Sequence, residues 1–500
     1  MELRERLFQE ILMARQRVYA AGQPTPLERL GLPIEAEVYI KREDLSPIHA
    51  YKWRGAYNRM AVLSPEERAA GVVCASAGNH AQGVALAARA LGTHARIYMP
   101  VSTPRMKRSE VRRHGGEYVE VVLTGDSYSD AAASAGDHAR ASGQVFVHAY
   151  DDLVTMGGQG TLADEVVMSG KGPFDLAYLQ IGGGGMAAAV SCWLRAYFPG
   201  IRIVGVEGVD QASMAAAVRA GRPVSLEYVD VFCDGTAVRQ AGALTYPLCA
   251  ELIDEFITVT NEEVAAAIEA LWDCSRCIAE PAGAMGIAGL MKQRERARGK
   301  RVLTVLCGAN VDFEQLAWIA HHAGIGAARR KYFRFRMPEA PGGLLHLLDN
   351  VLDGINIIEV QFGKVSDETA WPVIGFEASP PALQVLEARL NEQHIPHEDV
   401  TSEPDVEFRI IHYEPHLFQH PYFITFEFPE RAGALREFLH DLESGSICYF
   451  NYTYTGEQVG RALIGFEFPA PDDRAAFEDR LLASAHTWRA VAEPVLERML

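Results

Sequence analysis

The 500-residue chain has no block of basic residues long enough to track a phosphate backbone: lysine and arginine number 47 against 65 acidic side chains, a formal net charge of −18. A surface of that sign repels a phosphate backbone and an anionic bilayer alike, so neither nucleic acid nor a membrane surface is expected as a partner. No apolar run approaches the ~18 residues that a membrane span needs. The first stretch, MELRERLFQEILMARQRVY, is charged from its second residue and lacks an apolar core or a small-residue cleavage site. It reads as an amphipathic helix in a cytoplasmic protein. Cysteine is sparse, eight residues in all and scattered, and reduced thiols are the expectation. The single C-x-x-C, Cys274 and Cys277, sits in a helical pattern without a second pair at zinc-like spacing, so no metal is expected there.

What is present is organised in two textures. From about residue 35 to residue 310, short apolar runs rich in β-formers (GVVCAS, HARIYMP, EYVEVVL, FDLAYLQI, RIVGVEG, RVLTVLCG) alternate with Ala-rich helical patterns. Such alternation predicts α/β architecture with parallel sheets covered on both faces, and ligands bound beyond the carboxyl ends of the strands. After about residue 325 alanine thins out and aromatic, alternating strands take over. There RFRMPEAPGGLLHLLDNVLDGINIIEVQF (334–362) aligns with TFEFPERAGALREFLHDLESGSICYFNY (425–452), matching Pro338 with Pro429, Gly342 with Gly433, Leu344 with Leu435, Leu348 with Leu439, Ile357 with Ile447 and Phe362 with Tyr452. Each copy reads as a βαββαβ unit whose sheet edge can pair with a like unit. Five hundred residues exceed one hydrophobic core, and the expected domains are 1–325, 326–415 and 416–500.

Four motifs carry chemistry. QIGGGGM places Gly182, Gly183, Gly184 and Gly185 between a strand and a helix. Glycines there let successive backbone N–H groups converge on an anion, helped by the helix dipole. The run is neither the spaced dinucleotide fingerprint nor a Walker A loop, and a small phosphate monoester suits it better. ASAGNHAQG puts Ser76, Ala77 and Gly78 at a strand end with Asn79 and His80 opening a helix, a setting for a carboxylate. VLCGANV places Cys307 after a late strand, and HAYKWRGA holds Lys52 among small and aromatic residues, where Ala50, Gly55 and Ala56 are expected to leave room for a ring. A lysine beside Arg54 would ordinarily lie on a solvated helix face.

In their order and spacing, KREDLSPIHAYKWRGAYN, SAGNHAQG, GQGT, GGGGM, CDGTAV, AEPAGA and CGANV resemble the threonine dehydratases (threonine deaminases) among the fold-type II pyridoxal-phosphate enzymes. The resemblance covers about two thirds of the chain, and the repeated tail resembles the tandem ACT-like regulatory domains of the biosynthetic long form. It implies a tryptophan synthase β-like catalytic region of two parallel-sheet subdomains, followed by ferredoxin-like regulatory domains. It further implies that Lys52 forms the Schiff base with pyridoxal phosphate and that Gly182–Gly185 with Met186 hold the phosphate. Asn79 would contact the ring hydroxyl, Ser76, Ala77, Gly78, Asn79 and His80 would receive the substrate carboxylate, and Cys307 would face the pyridine nitrogen. Relatives often carry serine at Cys307 and at Ala282, a departure in each case. The implied reaction is deamination of L-threonine to 2-oxobutanoate and ammonia, the first step of isoleucine biosynthesis, with L-serine as a slower substrate. Isoleucine would inhibit and valine oppose it through a pocket near Phe362 and Tyr452, in a homotetramer. A serine dehydratase, a serine racemase, or an amino-acid sensor on an inactive scaffold are the alternative readings.

Overall fold

The computed structural model describes residues 2–496 apart from 127, 341, 352–354, 408, 430–436, 438, 441–445, 454–458, 484–486 and 494. Gly433 and Leu435 of the repeat lie outside the described residues. The chain forms two compact units, Met1–Gly326 and Ala327–Leu500.

The first unit holds two sheets. The strands are β1 (Leu27–Leu30), β2 (Glu37–Arg42), β3 (Val72–Ala75), β4 (Ala95–Met99), β5 (Val119–Leu123), β6 (Val145–Phe146), β7 (Leu176–Gln180), β8 (Arg202–Gly208), β9 (Glu255–Val259) and β10 (Arg301–Leu306), of which β3, β4, β5, β7, β8 and β10 follow the apolar runs named above and the other four lie outside them. The larger sheet has the order β1-β2-β10-β7-β8-β9 and the smaller β5-β4-β3-β6. All pairings are parallel except that of β1 with β2, a hairpin closing the edge of the large sheet. Continuous Val/Ile/Leu/Ala strands such as β7, buried along its whole length, are what a sheet covered on both faces demands. The covering helices used below are α1 (Leu3–Ala21), α2 (Lys52–Ala61), α3 (Asn79–Leu91), α4 (Arg105–Gly115), α5 (Leu153–Met168), α6 (Gly185–Tyr197) and α7 (Pro281–Lys292). The helix Asn261–Ser275 stops at Arg276, whose φ of 53° is left-handed, so Cys277 stands beyond the helix that contains Cys274.

The small residues around Lys52 serve packing. Gly55 lies against Gln159 and the Thr155 carbonyl of α5, Ala56 belongs to the core beneath the small sheet, and Ala50 packs with Val18, Ile48 and Trp53. None of the three lines the cavity described below, which corrects the expectation that they make room for a ring. Arg54 is likewise buried, not solvated.

The second unit is built on strands β11 (Arg330–Phe335), β12 (Asn356–Gly363), β13 (Val373–Glu377), β14 (His397–Asp399), β15 (Tyr422–Pro429), β16 (Ser446–Thr453), β17 (Val459–Glu467) and β18 (Thr487–Ala490). They form one sheet of order β14-β11-β13-β12-β16-β17-β15-β18, two ferredoxin-like halves joined edge to edge by β12 and β16. The register sets Val360 opposite Tyr452, Gln361 opposite Asn451 and Phe362 opposite Phe450. Gln361 and Asn451 are also equivalent positions of the sequence repeat, so a local two-fold axis passes between them. Register breaks fall at equivalent places, between Ile357 and Glu359 and between Ile447 and Tyr449. Helices Pro380–Glu392 and Pro471–Ala483 cover the face bearing the aromatic core.

Candidate active site

Strands β7 and β10 are neighbours in the large sheet, so the glycine run after β7 and Cys307 after β10 emerge side by side at the carboxyl edge. The carboxyl end of β3 in the small sheet delivers Ser76–Asn79 to the same place. Between them lies a cavity of about 600 Å³, lined by Lys52, Ser76, Ala77, Gly78, Asn79, His80, Gly182, Gly183, Gly184, Gly185, Met186 and Cys307. The structure therefore brings together every residue to which the resemblance gives a cofactor- or substrate-binding role in the catalytic region.

Lys52 opens α2 and is half-buried, its Nζ donating to the Ala149 carbonyl at 3.0 Å. Burial pulls its pKa from 10.5 down to about 8, and the nearby Cys307 and Glu280 oppose that shift only in part. The preceding residue is stitched to the end of β10 by the Tyr51 N–H to the Cys307 carbonyl at 3.1 Å, which fixes the lysine relative to the thiol.

The glycine run is a cradle with no room for side chains. A Cβ on Gly182, Gly183, Gly184 or Gly185 would come under 3.0 Å from Thr236, Tyr150, Met214 or Tyr150 respectively. Gly184 has φ 89°, a conformation open to glycine at little cost. The Gly183 carbonyl accepts from Thr245 Oγ1 at 2.6 Å and the Gly184 carbonyl from the Cys249 thiol at 3.6 Å. With its carbonyls so engaged, the loop turns N–H groups and the start of α6 toward an anion. A phosphate fits this cradle.

Helix α3 starts at Asn79 with Gly78 as its cap residue, so its first N–H groups have no partner within the helix. Ser76 Oγ accepts from the Gly78 N–H at 3.3 Å and tightens this turn. His80 directs Nε2 to the Val147 carbonyl at 2.9 Å, and burial with the Lys52 charge pushes its pKa down to about 3. Its ring is thus neutral and committed to the backbone, which leaves its main-chain N–H for a carboxylate.

The Cys307 thiol donates to the Ala282 carbonyl at 3.6 Å, and burial and Glu280 push its pKa up to about 12. It is a neutral group at physiological pH. Sequence reasoning gave no role to Glu280 or Asn310, although both stand in quoted motifs, AEPAGA and CGANV. Glu280 is 2% exposed and accepts from Asn79 Nδ2 at 2.8 Å. Lys107 of α4 and Asp234, which form an ion pair, were also not anticipated; both line the cavity.

Phe362 and Tyr452 are 7% and 1% exposed, within the aromatic core of the second unit. The Tyr452 hydroxyl donates to the Ile357 carbonyl at 3.4 Å. Neither residue lines the cleft of about 460 Å³ formed by Thr425, Glu427, Asn451, Arg461 and Arg489 in that unit. Among the described residues no group of His, Cys, Asp and Glu could hold a metal ion, and no helix is long and apolar enough to cross a membrane.

Residues 18–308 match the family model of pyridoxal-phosphate dependent enzymes, and 321–410 with 418–494 match that of the C-terminal regulatory domain of threonine dehydratase. The chain is 36% identical over 484 residues to the biosynthetic L-threonine dehydratase IlvA of Burkholderia multivorans, covering 94% of this chain and 95% of the relative. It is 37% identical over 475 residues to that of Haemophilus influenzae, covering 93% and 91%. Among solved structures it is similar to the processed form of threonine deaminase isoform 2 from Solanum lycopersicum, with TM-score 0.61 and 38% identity over 64% of this chain and 94% of that one. Maize serine racemase follows the same fold, with TM-score 0.58 and 27% identity over 63% of this chain and 97% of that one. Two family models in tandem and relatives matched almost end to end make the chain a member of the biosynthetic L-threonine dehydratase family of pyridoxal-phosphate dependent enzymes.

Proposed function

We propose that this chain converts L-threonine to 2-oxobutanoate and ammonia, the water lost with the β-hydroxyl being taken up again when the released enamine is hydrolysed, with Lys52 as the cofactor-bearing and proton-transferring residue. The observation that carries this reading is the buried Lys52 amine, brought down to a pKa of about 8 at the cavity shared with a glycine cradle. Pyridoxal phosphate, when bound, supplies the electron sink for the substrate α-carbon. Gly182–Gly185 and the Met186 N–H hold its phosphate, Asn79 meets its ring hydroxyl and the Cys307 thiol meets its ring nitrogen. The N–H groups of Asn79 and His80, with Ser76, Ala77 and Gly78 shaping the turn, receive the substrate carboxylate. Lys52, close to neutral at working pH, then takes the α-proton. A thiol opposite the ring nitrogen carries no charge, which limits electron withdrawal and favours loss of the β-hydroxyl over transamination.

Serine lacks one methyl group of threonine, a difference worth about 1–3 kcal/mol, so it is turned over more slowly. The units 326–415 and 416–500 act as regulatory domains in a cytoplasmic homotetramer, with isoleucine inhibiting and valine opposing. The effector pocket would lie near the strands that carry Phe362 and Tyr452, which are themselves core aromatics. The purified wild type should be yellow and release 2-oxobutanoate, and Lys52→Ala should lose both properties. A variant that keeps both would overturn the lysine assignment; a wild type faster on serine than on threonine would favour the serine dehydratase reading.

A further inference from the structure

The Asn79 amide is held from two sides. Its Nδ2 donates to Glu280 Oε1 at 2.8 Å and its Oδ1 accepts from Asn310 Nδ2 at 2.7 Å. Asn310 also gives its backbone N–H to Glu280 Oε2 at 3.0 Å and its amide to the Ile48 carbonyl at 2.8 Å. The three side chains come from three places in the fold: the start of α3, the residue capping α7, and the loop after β10. Amide oxygen and nitrogen are told apart by their partners. A carbonyl can only accept, so Ile48 fixes the Asn310 NH₂ as the donor. Asn79 must then offer Asn310 its oxygen and turn its own NH₂ toward Glu280. One of the two Nδ2 protons is taken by the Glu280 carboxyl; the other remains on the side of the cavity, which Asn79 lines.

The surroundings are shaped for this carboxyl group. A Cβ at Gly308 would collide with the Glu280 carboxylate, and Gly308 accepts the Glu280 N–H at 3.2 Å. A buried acid is costly unless its oxygens are hydrogen-bonded, and both oxygens here are engaged. Neither Glu280 nor Asn310 is needed to cap α7 or α3 by its side chain.

We propose that Glu280 and Asn310 are positioning residues which lock the Asn79 amide so that one N–H stands as a fixed donor toward an anionic ring oxygen of the cofactor. This rests on the reading that Asn79 meets that oxygen. The burial of Glu280, with Asp234 nearby, raises its pKa to about 7, while Asn79, the Asn310 N–H and Lys107 draw it down. In glutamine the single carbonyl oxygen keeps the bond from Asn79 while the Asn310 N–H loses its acceptor, and in leucine both bonds are lost.

The test uses the holoenzyme and reads the bound cofactor's absorbance maximum and its dissociation constant beside turnover. Glu280→Leu should displace the absorbance maximum as Asn79→Ala does and weaken cofactor retention about tenfold, the worth of one charge-assisted hydrogen bond. Combining Glu280→Leu with Asn79→Ala should add little, and Glu280→Gln, which keeps the acceptor for Asn79, should stay closer to the wild-type spectrum than Glu280→Leu. Asn310→Ala gives the same reading if Glu280→Leu does not fold. Should Asn79→Ala move the spectrum while Glu280→Leu and Asn310→Ala leave it alone, the positioning role is wrong and the Asn79 contact stands. If Asn79→Ala itself changes nothing, the contact fails and the positioning role with it.

Discussion

Lys52 and Arg54 stand at the start of one helix and meet opposite surroundings. Arg54 is fully buried; it donates to Glu43 Oε2 at 2.8 Å, to Glu165 Oε2 at 3.0 Å and to Thr161 Oγ1 at 3.1 Å. Lys41, also fully buried, reaches Glu165 at 2.6 Å. Burial would raise the Glu43 carboxyl, but Arg54 and Lys41 outweigh it and hold the group below its ordinary 4.5. A depressed carboxylate contributes stability above that value and loses it as the pH falls, so this network weakens in acid. Such a four-charge cluster contributes more to the placement of α2 than to net stability, because desolvation offsets most of its attraction. Lys52 has no such compensation, and its amine is nucleophilic at a pH where a free lysine is protonated. Only the unprotonated amine can add to an aldehyde. The rate at which the apoenzyme regains pyridoxal phosphate should therefore rise with pH, reach half its plateau near pH 8 and flatten above it. Stopped-flow absorbance from pH 6 to 10 reads this directly; a rise continuing to pH 10 would mean an ordinary lysine.

At the scale of elements, strands were legible and their partners were not. β3, β4, β7, β8 and β10 fall within the apolar runs because a strand buried on both faces is apolar at most of its positions. The glycine cradle was equally plain, since four successive glycines have no place inside a regular element. Glu280 and Arg54 were hidden for the converse reason: in a sequence a buried charge looks like a solvated one, and only its distant partners distinguish it. Gly55 and Ala56 misled because a small residue serves close helix packing as readily as a ligand. Lys107 of α4 belongs to the small-sheet side of the cavity and Asp234, in the turn Asp234–Thr236, to the large-sheet side. Their ion pair spans the cavity between the two layers, with side chains 19% and 48% exposed. A pair so open to solvent is worth about 1 kcal/mol or less. Lys107→Met or Asp234→Asn should accordingly raise KM for threonine by up to about fivefold, more than either lowers kcat. The charge-exchanged double variant, Lys107→Asp with Asp234→Lys, should recover most of the loss in steady-state assays. Additive losses in the double variant would show that the two side chains act separately.

On the scale of the whole molecule, the second unit turns a sequence repeat into a continuous sheet. Sequence equivalence and strand register meet at Gln361 and Asn451, so the two halves are related by a local two-fold at their shared central pair β12 and β16. The connection between the halves breaks that symmetry. Arg409, within it, donates to Glu359 Oε1 at 2.6 Å on the first half and to Asn451 Oδ1 at 2.6 Å on the second. Glu359 is 2% exposed and also accepts from Gln361 at 2.7 Å, whereas its equivalent in the second half, Tyr449, carries no charge. One guanidinium, which also reaches the Tyr452 carbonyl at 3.5 Å, thus clamps both halves at the dyad, and a change in their relative angle would strain its bonds to one half or the other. Regulation through this unit requires that an effector bind two arrangements of it with different affinity. Arg409→Met removes the clamp and leaves the Glu359 carboxylate buried without its cation. With Arg409 about one third exposed, the cost should be about 2 kcal/mol, visible as earlier unfolding of the second unit in calorimetry of the full chain. Threonine turnover without effectors should be unchanged, since the variant lies far along the chain from every residue of the cavity. On the proposed reading that isoleucine inhibits, its concentration for half-inhibition should shift severalfold. An unaltered isoleucine response in a variant whose second unit melts earlier would separate the clamp from regulation and leave it a purely structural joint.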